Sequence, residues 1–289
     1  MFATPILLLT FNRPDYVERQ IQLLSAIAPK RLYIACDGPR NNEDLEIQNR
    51  IHILVSNIDW KCSVFTLYRK KNLGCRVAVS SAIDWFFKNE EQGIILEDDC
   101  IADVTFFPFC EQMLRRYRKD KKIMHVSGMS PVHIESKNSY VFSSHPLCWG
   151  WATWRRAWKK YDVNMKTWPD RASSYVGQKY WIDLFQKMYE KKIDTWDYQW
   201  IYSVFENHGL SIILAVNLVT NIGFDSRATH TKFFLSPNSY QLSSSMLFPL
   251  RHPTSVASNT YMDKLIQTSF EKHIFLKLLH GIVLAIIRL

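Results

Sequence analysis

The sequence lacks the glycine-rich motifs that hold phosphate groups in two large classes of enzyme. No Gly-x-Gly-x-x-Gly follows the first apolar run, and no Walker-type Gly-Lys-Ser/Thr occurs anywhere in the 289 residues. Because such motifs present backbone N–H groups to phosphate at a helix N-terminus, a dinucleotide-dependent dehydrogenase and a P-loop enzyme are not expected. A phosphate-bearing ligand would have to be held by a metal ion instead.

Cysteine pairs with metal-ligand spacing are also missing. The six cysteines contain no Cys-x-x-Cys pair, so neither a zinc cluster nor a disulfide framework is expected. Their scatter is typical of buried thiols in a reducing cytoplasm. The first residues contain no cationic segment and no cleavage site, so export by a signal peptide is not expected either.

Acidic residues are fewer than basic ones, and the formal net charge is +9. The basic residues are scattered and match no nucleic-acid-binding module, so nucleic acid is not an expected partner. An anionic membrane surface or a lipid-diphosphate acceptor accounts for the charge. For each Lys/Arg pair on a predicted helix, a solvated helix face is the alternative.

Strand and helix patterns alternate four times in the N-terminal part of the chain. The predicted strands cover residues 5–10, 31–36, 63–68 and 93–96, and helical patterns follow each of the first three. This alternation predicts an α/β protein with a mostly parallel sheet flanked by helices. Ligands of such sheets bind beyond the carboxyl ends of the strands, so the polar residues there are expected to meet at one crevice.

The strongest single signal is the acidic triplet Glu97-Asp98-Asp99, which ends the apolar run 93–96. Three adjacent carboxylates repel one another and raise one another's pKa, which makes a divalent cation a natural partner. The alternative is that the acids cap a following helix, whose N-terminal dipole favours negative charge.

Several motifs occur along the chain in the order found in one enzyme family. They are Thr10-Phe11-Asn12-Arg13-Pro14, Cys36-Asp37-Gly38-Pro39-Arg40, Asn72-Leu73-Gly74, Glu97-Asp98-Asp99, Trp149-Gly150-Trp151, Trp196-Asp197, and Asn221-Ile222-Gly223-Phe224 before Ala228-Thr229-His230-Thr231. Together they resemble nucleotide-sugar-dependent glycosyltransferases of the GT-A fold, in particular bacterial relatives of N-acetylglucosaminyltransferase I. The resemblance covers about residues 3 to 232 and implies a Rossmann-like mixed sheet.

The resemblance also implies roles for residues on the nucleotide side. Asp99 would coordinate Mn²⁺ or Mg²⁺, and His230 would be a second metal ligand or a diphosphate contact. The other residues implied to bind the nucleotide sugar are Thr10, Asn12, Arg13, Asp37, Asn72, Gly74, Glu97 and Asp98. Each has a local alternative: Asp37-Gly38-Pro39 is also a turn, Asn12-Arg13-Pro14 a helix start, and a lone histidine a surface group.

Tryptophans and a nearby aspartate indicate where an acceptor would bind. Trp151, Trp154 and Trp158 have the spacing of one buried helix face, whereas Trp149 breaks that pattern. We therefore expect Trp149, with Gly150 and Trp151, at the acceptor pocket. The resemblance implies that the Trp-Asp segment supplies the catalytic base, for which Asp197 is the first candidate and Asp194 the competitor.

These expectations divide the chain into three parts. Residues 1–130 would bind the nucleotide sugar, residues 131–235 the acceptor, and residues 236–289 would form a linker and an amphipathic helix. The helical pattern from Phe270 to Leu289 is too short in apolar length to span a bilayer, but suits its interface. Docking of this helix on the protein or on another subunit is the alternative.

The expected function is a metal-dependent, inverting glycosyltransferase in surface-polysaccharide or glycolipid assembly, in the cytoplasm or peripheral to the cell membrane. A UDP-sugar is the expected donor, and a saccharide or lipid-linked molecule the expected acceptor. Two rivals stay open. One is a sugar-nucleotide pyrophosphorylase, which would need a glycine-rich basic loop after the first strand. The other is a carbohydrate-binding or membrane-scaffold protein without turnover.

Overall fold

The structure is a computed structural model that describes residues 1–131, 136–175, 178–224 and 242–271. Its N-terminal part alternates strands and helices as the sequence predicts. These elements are β1 Ile6–Thr10, α1 Pro14–Ile27, β2 Arg31–Cys36, α2 Asn42–Ser56, β3 Ser63–Tyr68, α3 Gly74–Asn89 and β4 Gln92–Glu97. The predicted bounds of β2 and β3 agree with the structure at both ends.

The following part is less regular and contains short elements. Its strands are β5 Cys100–Ala102, β6 Ile123–Ser127, β7 Tyr140–Ser143, β8 Trp151–Trp154, β9 Leu210–Leu214 and β10 Val219–Asn221. Its helices are α4 Phe106–Arg116, α5 Arg155–Trp158, α6 Trp168–Arg171, α7 Lys179–Tyr189 and α8 Asp197–Glu206, with a 3-10 turn at Ala172–Tyr175. A further helical segment begins at residue 260 and is described to residue 271.

Eight strands form one mixed sheet in the order β3-β2-β1-β4-β8-β6-β9-β7. The four strands β3, β2, β1 and β4 are parallel, and β6 and β9 are parallel to each other. β8 runs antiparallel to both β4 and β6, and β7 runs antiparallel to β9. The fold is therefore α/β with a mixed, mostly parallel sheet flanked by helices, as predicted.

Local sequence explains why the helices begin where they do. Pro14 occupies the first turn of α1, where its missing N–H costs nothing and its fixed φ suits the helix. Asn41 caps α2, because its side-chain oxygen accepts a hydrogen bond from the Asp44 N–H at 2.9 Å. All five residues of β1 are buried, as expected for a strand covered by helices on both faces.

The helical interpretation of the tryptophan cluster is wrong, although its prediction of burial is correct. Trp151 and Trp154 begin and end strand β8, and only Trp158 lies on a helix. Residues three positions apart on a strand face opposite sides, so the two side chains belong to different hydrophobic clusters. This segment is a strand despite its helical periodicity because its backbone pairs with both β4 and β6.

The helical segment 260–271 packs on the rest of the protein. Met262 and Ile266 are buried in a cluster with Met129 and Leu147, and the Trp181 indole N–H donates to Gln267 Oε1 at 2.6 Å. Most of the predicted amphipathic helix, from residue 272 onward, lies outside the described residues. Within the described ranges, no helix has the length and hydropathy needed to cross a bilayer.

Candidate functional site

A cavity of about 700 Å³ lies at the carboxyl ends of β1, β2 and β4. Residues from both parts of the chain line it, as expected for a parallel sheet whose polar strand ends meet at one edge. Its acidic wall is formed by Asp37, Glu97, Asp98, Asp99, Asp194 and Asp197. Thr10, Asn12, Arg13, Asn72, Gly74 and Trp149 also line it, so the sequence predicted much of the wall.

The acidic triplet stands at the junction of β4 and β5. Glu97 is the last residue of β4, Asp98 and Asp99 form the turn, and β5 begins at the next residue. The alternative that the acids cap a helix is therefore wrong. The amide nitrogen of Gln20 fixes the backbone of this turn, because it lies 3.1 Å from the Glu97 carbonyl oxygen and 2.8 Å from that of Cys100.

Among the described residues, Arg13 is the cation that forms ion pairs with this turn. Its Nη1 atom lies 2.7 Å from Asp99 Oδ2 and 3.2 Å from Asp98 Oδ1. The single charge of Arg13 does not neutralise three carboxylates that are little exposed to water. Burial, followed by repulsion from Asp99, Asp197 and Asp98, raises the pKa of Glu97 to about 8. Burial also raises the pKa of Asp98 to about 7, although Arg13 opposes the shift.

The oxygen donors of the triplet fit a hard divalent cation. Mg²⁺ is commonly held by one or two carboxylates and completes its coordination with substrate phosphates and water. Asp99 offers such a carboxylate, and a bound cation would offset the repulsion among the acids that raises the pKa of Glu97. In the described part of the chain, no three His, Cys, Asp or Glu residues are grouped to hold a metal. The predicted second ligand, His230, lies outside the described residues.

Gly223 approaches the triplet from the strand pair β5–β10. A Cβ atom at this position would lie 2.1 Å from Asp99 Oδ2, so only glycine allows the carboxylate its present position. The Ile222 N–H donates to the Asp99 carbonyl oxygen at 2.9 Å, which holds the two segments together. The sequence motif that contains Gly223 is thus brought beside Asp99, which lies 124 positions earlier in the chain.

Asp37, Asn72 and Gly74 meet at the N-terminus of α3. The Asp37 carboxylate accepts hydrogen bonds from the N–H groups of Leu73 and Gly74 at 3.0 and 3.1 Å, and from the Asn72 amide at 3.0 Å. Gly74 has a φ of +77°, a conformation that favours glycine. The three predicted residues therefore form one rigid corner of the cavity.

Arg40 and Asp44 were not among the predicted site residues. Arg40 donates three hydrogen bonds to Asp44, from its backbone N–H at 3.1 Å, from Nε at 2.6 Å and from Nη2 at 3.0 Å, and its guanidinium lies over the Phe11 ring at 4.8 Å. The Asn12 amide donates to the same carboxylate at 2.9 Å. These bonds, led by the one from Arg40, lower the pKa of Asp44 to about 2. The Arg-x-x-x-Asp spacing at the start of α2 was the available signal.

Asp197 and Asp194 occupy different environments. Asp194 accepts hydrogen bonds from the N–H groups of Cys75 at 2.9 Å and Arg76 at 3.2 Å, so it caps α3 from the other part of the chain. Asp197 begins α8 and accepts a hydrogen bond from the Thr195 hydroxyl. Both carboxylates line the cavity, but the described contacts engage Asp194 more fully.

The three residues predicted to bind an acceptor do not lie together at the cavity. Trp149 lines it and packs edge-on against Phe224, with ring centroids 5.7 Å apart. Trp151 has no exposed surface and stacks on Trp196 at 5.5 Å, so, contrary to the prediction, it offers no surface to an acceptor. Gly150 is buried beside it, and its carbonyl oxygen accepts a hydrogen bond from the Gly128 N–H.

Comparisons with known proteins give weak structural similarity. No family model and no curated protein matches the chain. Among solved structures, S. aureus TarS aligns with a TM-score of 0.38 and 11% identity over 56% of this chain, which spans 50% of the TarS chain. An active-site mutant of LgtC aligns with a TM-score of 0.38 and 9% sequence identity, over 70% of each chain. UDP-glucose pyrophosphorylase in complex with UDP-glucose aligns with a TM-score of 0.28 and 12% sequence identity, over 50% of this chain and 63% of the pyrophosphorylase chain. These TM-scores are too low to assign an activity.

Proposed function

We propose that this protein is a metal-dependent glycosyltransferase of the GT-A type. It moves a sugar from a nucleotide sugar, most simply a UDP-sugar, to a saccharide or lipid-linked acceptor in surface-polysaccharide assembly. The observation that carries the proposal is that the acidic triplet and Asp197 line one cavity at the carboxyl ends of the parallel strands. A site that cleaves a sugar–phosphate bond needs both a centre for the leaving diphosphate and a base for the acceptor.

The proposed nucleotide region is the part of the cavity between β1, β2 and α3. The Asp37–Asn72–Gly74 corner and the side chains of Thr10 and Asn12 would contact the base and ribose there. Arg40, stacked on Phe11, presents a guanidinium to the same region. These groups offer hydrogen-bond donors and acceptors in fixed positions, which is what discrimination of a nucleotide requires.

Asp99 is the residue proposed to hold Mn²⁺ or Mg²⁺, with His230 as the proposed second ligand. A bound cation would neutralise the charge that develops on the departing nucleoside diphosphate. Glu97 and Asp98 precede Asp99 at the same turn. They are proposed to orient the donor, with Asp98 held in place by Arg13.

Asp197 is proposed to take the proton from the acceptor hydroxyl. Its carboxylate is oriented by Thr195 and lies at the start of α8, whereas both oxygens of Asp194 bind the N-terminus of α3. Direct displacement with inversion needs one such base. Trp149 is proposed to cover the apolar face of an acceptor sugar, because it is the predicted acceptor residue that lines the cavity.

The two rival functions predict different products. A pyrophosphorylase would form a nucleotide sugar from a nucleoside triphosphate, yet the link between β1 and α1 holds only residues 11–13 and engages Arg13 with the acids. A non-catalytic binding protein would bind a nucleotide sugar or saccharide without turnover.

A panel of nucleotide sugars, each with Mn²⁺ or with chelator, tests the proposal. A donor at 100 times its dissociation constant should stabilise the fold by about 2.7 kcal/mol, which a thermal-shift measurement detects. Mn²⁺-dependent release of nucleoside diphosphate then identifies an enzyme. Binding without release would favour the non-catalytic rival, and synthesis from a triphosphate the pyrophosphorylase.

A further inference from the structure

Arg13 and the triplet form an ion pair that is shielded from water. The side chain of Arg13 is 11% exposed, and those of Asp98 and Asp99 are 9% and 14% exposed. Electrostatic attraction is stronger in such a place than at the surface, and loss of one partner leaves the others uncompensated. Arg13 is therefore held at the turn by more than a surface contact.

The surroundings of Arg13 fix where its guanidinium lies. It stands over the Tyr16 ring, 5.4 Å from the centroid, and the Tyr16 hydroxyl donates to the Ile222 carbonyl oxygen at 3.0 Å. The next residue, Gly223, closes the other side of Asp99 Oδ2. With Arg13 and Gly223 on either side, Asp99 Oδ2 has little room for another ligand.

A divalent cation and Arg13 would thus use the same carboxylate. Two cations that share one carboxylate repel each other, and this repulsion is stronger here because the turn is little exposed to water. Removal of the guanidinium should therefore favour the metal ion, although it disfavours the empty protein. Loss of the guanidinium should thus raise the affinity for the metal ion and lower the stability of the metal-free protein, and the two changes can be measured separately.

We propose that Arg13 is the internal counter-cation of the triplet and that a divalent ion displaces it from Asp99. This inference rests on the metal site of the proposed function and adds the residue that sets its affinity. Once displaced, the guanidinium remains at the cavity wall, where it suits a phosphate oxygen of the nucleotide. Metal and nucleoside diphosphate then bind cooperatively, because each favours the same position of Arg13.

Calorimetry of the full chain with MnCl₂ alone, without nucleotide, tests the exchange. Arg13→Gln should bind Mn²⁺ at least ~10-fold more tightly than the unchanged protein, because a competing charge has been removed. Arg69→Gln is the matched control: Arg69 lines the same cavity but donates to the Ser81 hydroxyl at 2.7 Å, so its loss should change the Mn²⁺ affinity less than ~3-fold. Asp99→Asn should abolish Mn²⁺ binding both in the otherwise unchanged protein and in combination with Arg13→Gln.

The nucleotide supplies a second readout. In the unchanged protein, UDP should tighten Mn²⁺ binding, and Arg13→Gln should reduce this coupling even though it tightens Mn²⁺ binding alone. A general disturbance of the fold would weaken both. Equal or weaker Mn²⁺ binding by Arg13→Gln, or coupling that is unchanged, would overturn the inference.

The variant itself is at risk of unfolding in chelator, since the triplet would lack a counter-charge. In that case Mn²⁺ should restore a cooperative thermal transition, whereas Na⁺ at matched ionic strength should not. A variant that stays unfolded in Mn²⁺ contradicts the exchange of cations. Mn²⁺ binding that Asp99→Asn removes but Arg13→Gln leaves unchanged rejects this inference alone, whereas no Mn²⁺ binding by the unchanged protein or by any variant, with or without UDP, rejects the proposed metal site.

Discussion

Asp194 and Cys75, separated by 119 positions in the sequence, are joined by a hydrogen bond of 2.9 Å from the Cys75 N–H to Asp194 Oδ2. Asp37 binds the two preceding N–H groups, those of Leu73 and Gly74. Two carboxylates from opposite parts of the chain therefore satisfy four successive N–H groups at the start of α3. This shared cap connects the proposed nucleotide corner to the segment that carries Asp197.

Asp194→Asn should cost about 0.5–2 kcal/mol of stability, because an amide presents only one acceptor oxygen to two N–H groups and no charge to the helix dipole. Transfer should fall about 10-fold as Asp197 loses its support, with the pH profile unchanged. Urea unfolding and initial rates measure both. Asp183→Asn, an exposed acid on α7, is the control. A loss as large as that of a catalytic base would show that Asp194 is the base.

Asp197→Asn should reduce transfer by ~10²–10⁴-fold while the dissociation constant for UDP stays near that of the unchanged protein. The amide keeps the size of the side chain but cannot accept a proton. Thr195→Val, which removes the hydroxyl that donates to Asp197, should cause a smaller loss of the same kind. Full activity of Asp197→Asn would remove the residue from the mechanism.

Gly223→Ala should weaken Mn²⁺-dependent UDP binding at least ~10-fold, because the new methyl group would displace the Asp99 carboxylate. Gly209→Ala is a suitable control, since its methyl group would meet the Met124 side chain instead. Calorimetric titration of each variant with UDP and Mn²⁺ compares them. Equal affinities for the two variants would mean that the position of Asp99 is unimportant for the ligand.

The contribution of Asp263 to stability should depend on pH. Burial raises the pKa of Asp263, but hydrogen bonds from the Ser143 and Ser258 hydroxyls and the Ser144 N–H, with the His145 ring 3.6 Å away, outweigh it and lower the pKa to about 2. A carboxyl whose pKa is lower in the folded state stabilises the fold above its unfolded pKa of about 3.9, and this stabilisation is lost as the pH falls towards 2. Asp263→Asn should therefore reduce the free energy of unfolding by about 1–3 kcal/mol at pH 7, and by less at pH 3. An equal loss at both pH values would contradict this account.

The regular part of the fold was predictable because its signals are local. Segments with helical periodicity separate the apolar runs of β1 to β4. Pro14 is the first residue of α1, and Asn41 immediately precedes α2. Strand β8 was not predictable in the same way. Its Trp151 and Trp154 fit a helical period, and only pairing with β4 and β6, which are distant in sequence, makes it a strand.

The candidate site was predictable in composition but not in connections. The triplet, Asp37 and Arg13 follow strands whose ends meet at one edge, so their convergence follows from the fold class. The bonds from Asp194 to α3 and the approach of Gly223 to Asp99 depend on the path of the chain between them. No local pattern encodes such long-range contacts, which is why Asp194 and Asp197 could not be told apart from the sequence.

Turnover should depend on the Asp99 carboxylate, which is proposed to hold the divalent cation that activates a nucleotide-sugar donor. The most direct test is the rate of nucleoside diphosphate release by Asp99→Asn, measured with Mn²⁺ and with excess chelator. An amide has the size of the carboxylate without its charge, so the variant should keep its fold, measured by circular dichroism, and lose both turnover and Mn²⁺-dependent UDP binding. Unchanged release by Asp99→Asn, or full activity of the unchanged protein in chelator, would contradict the claim.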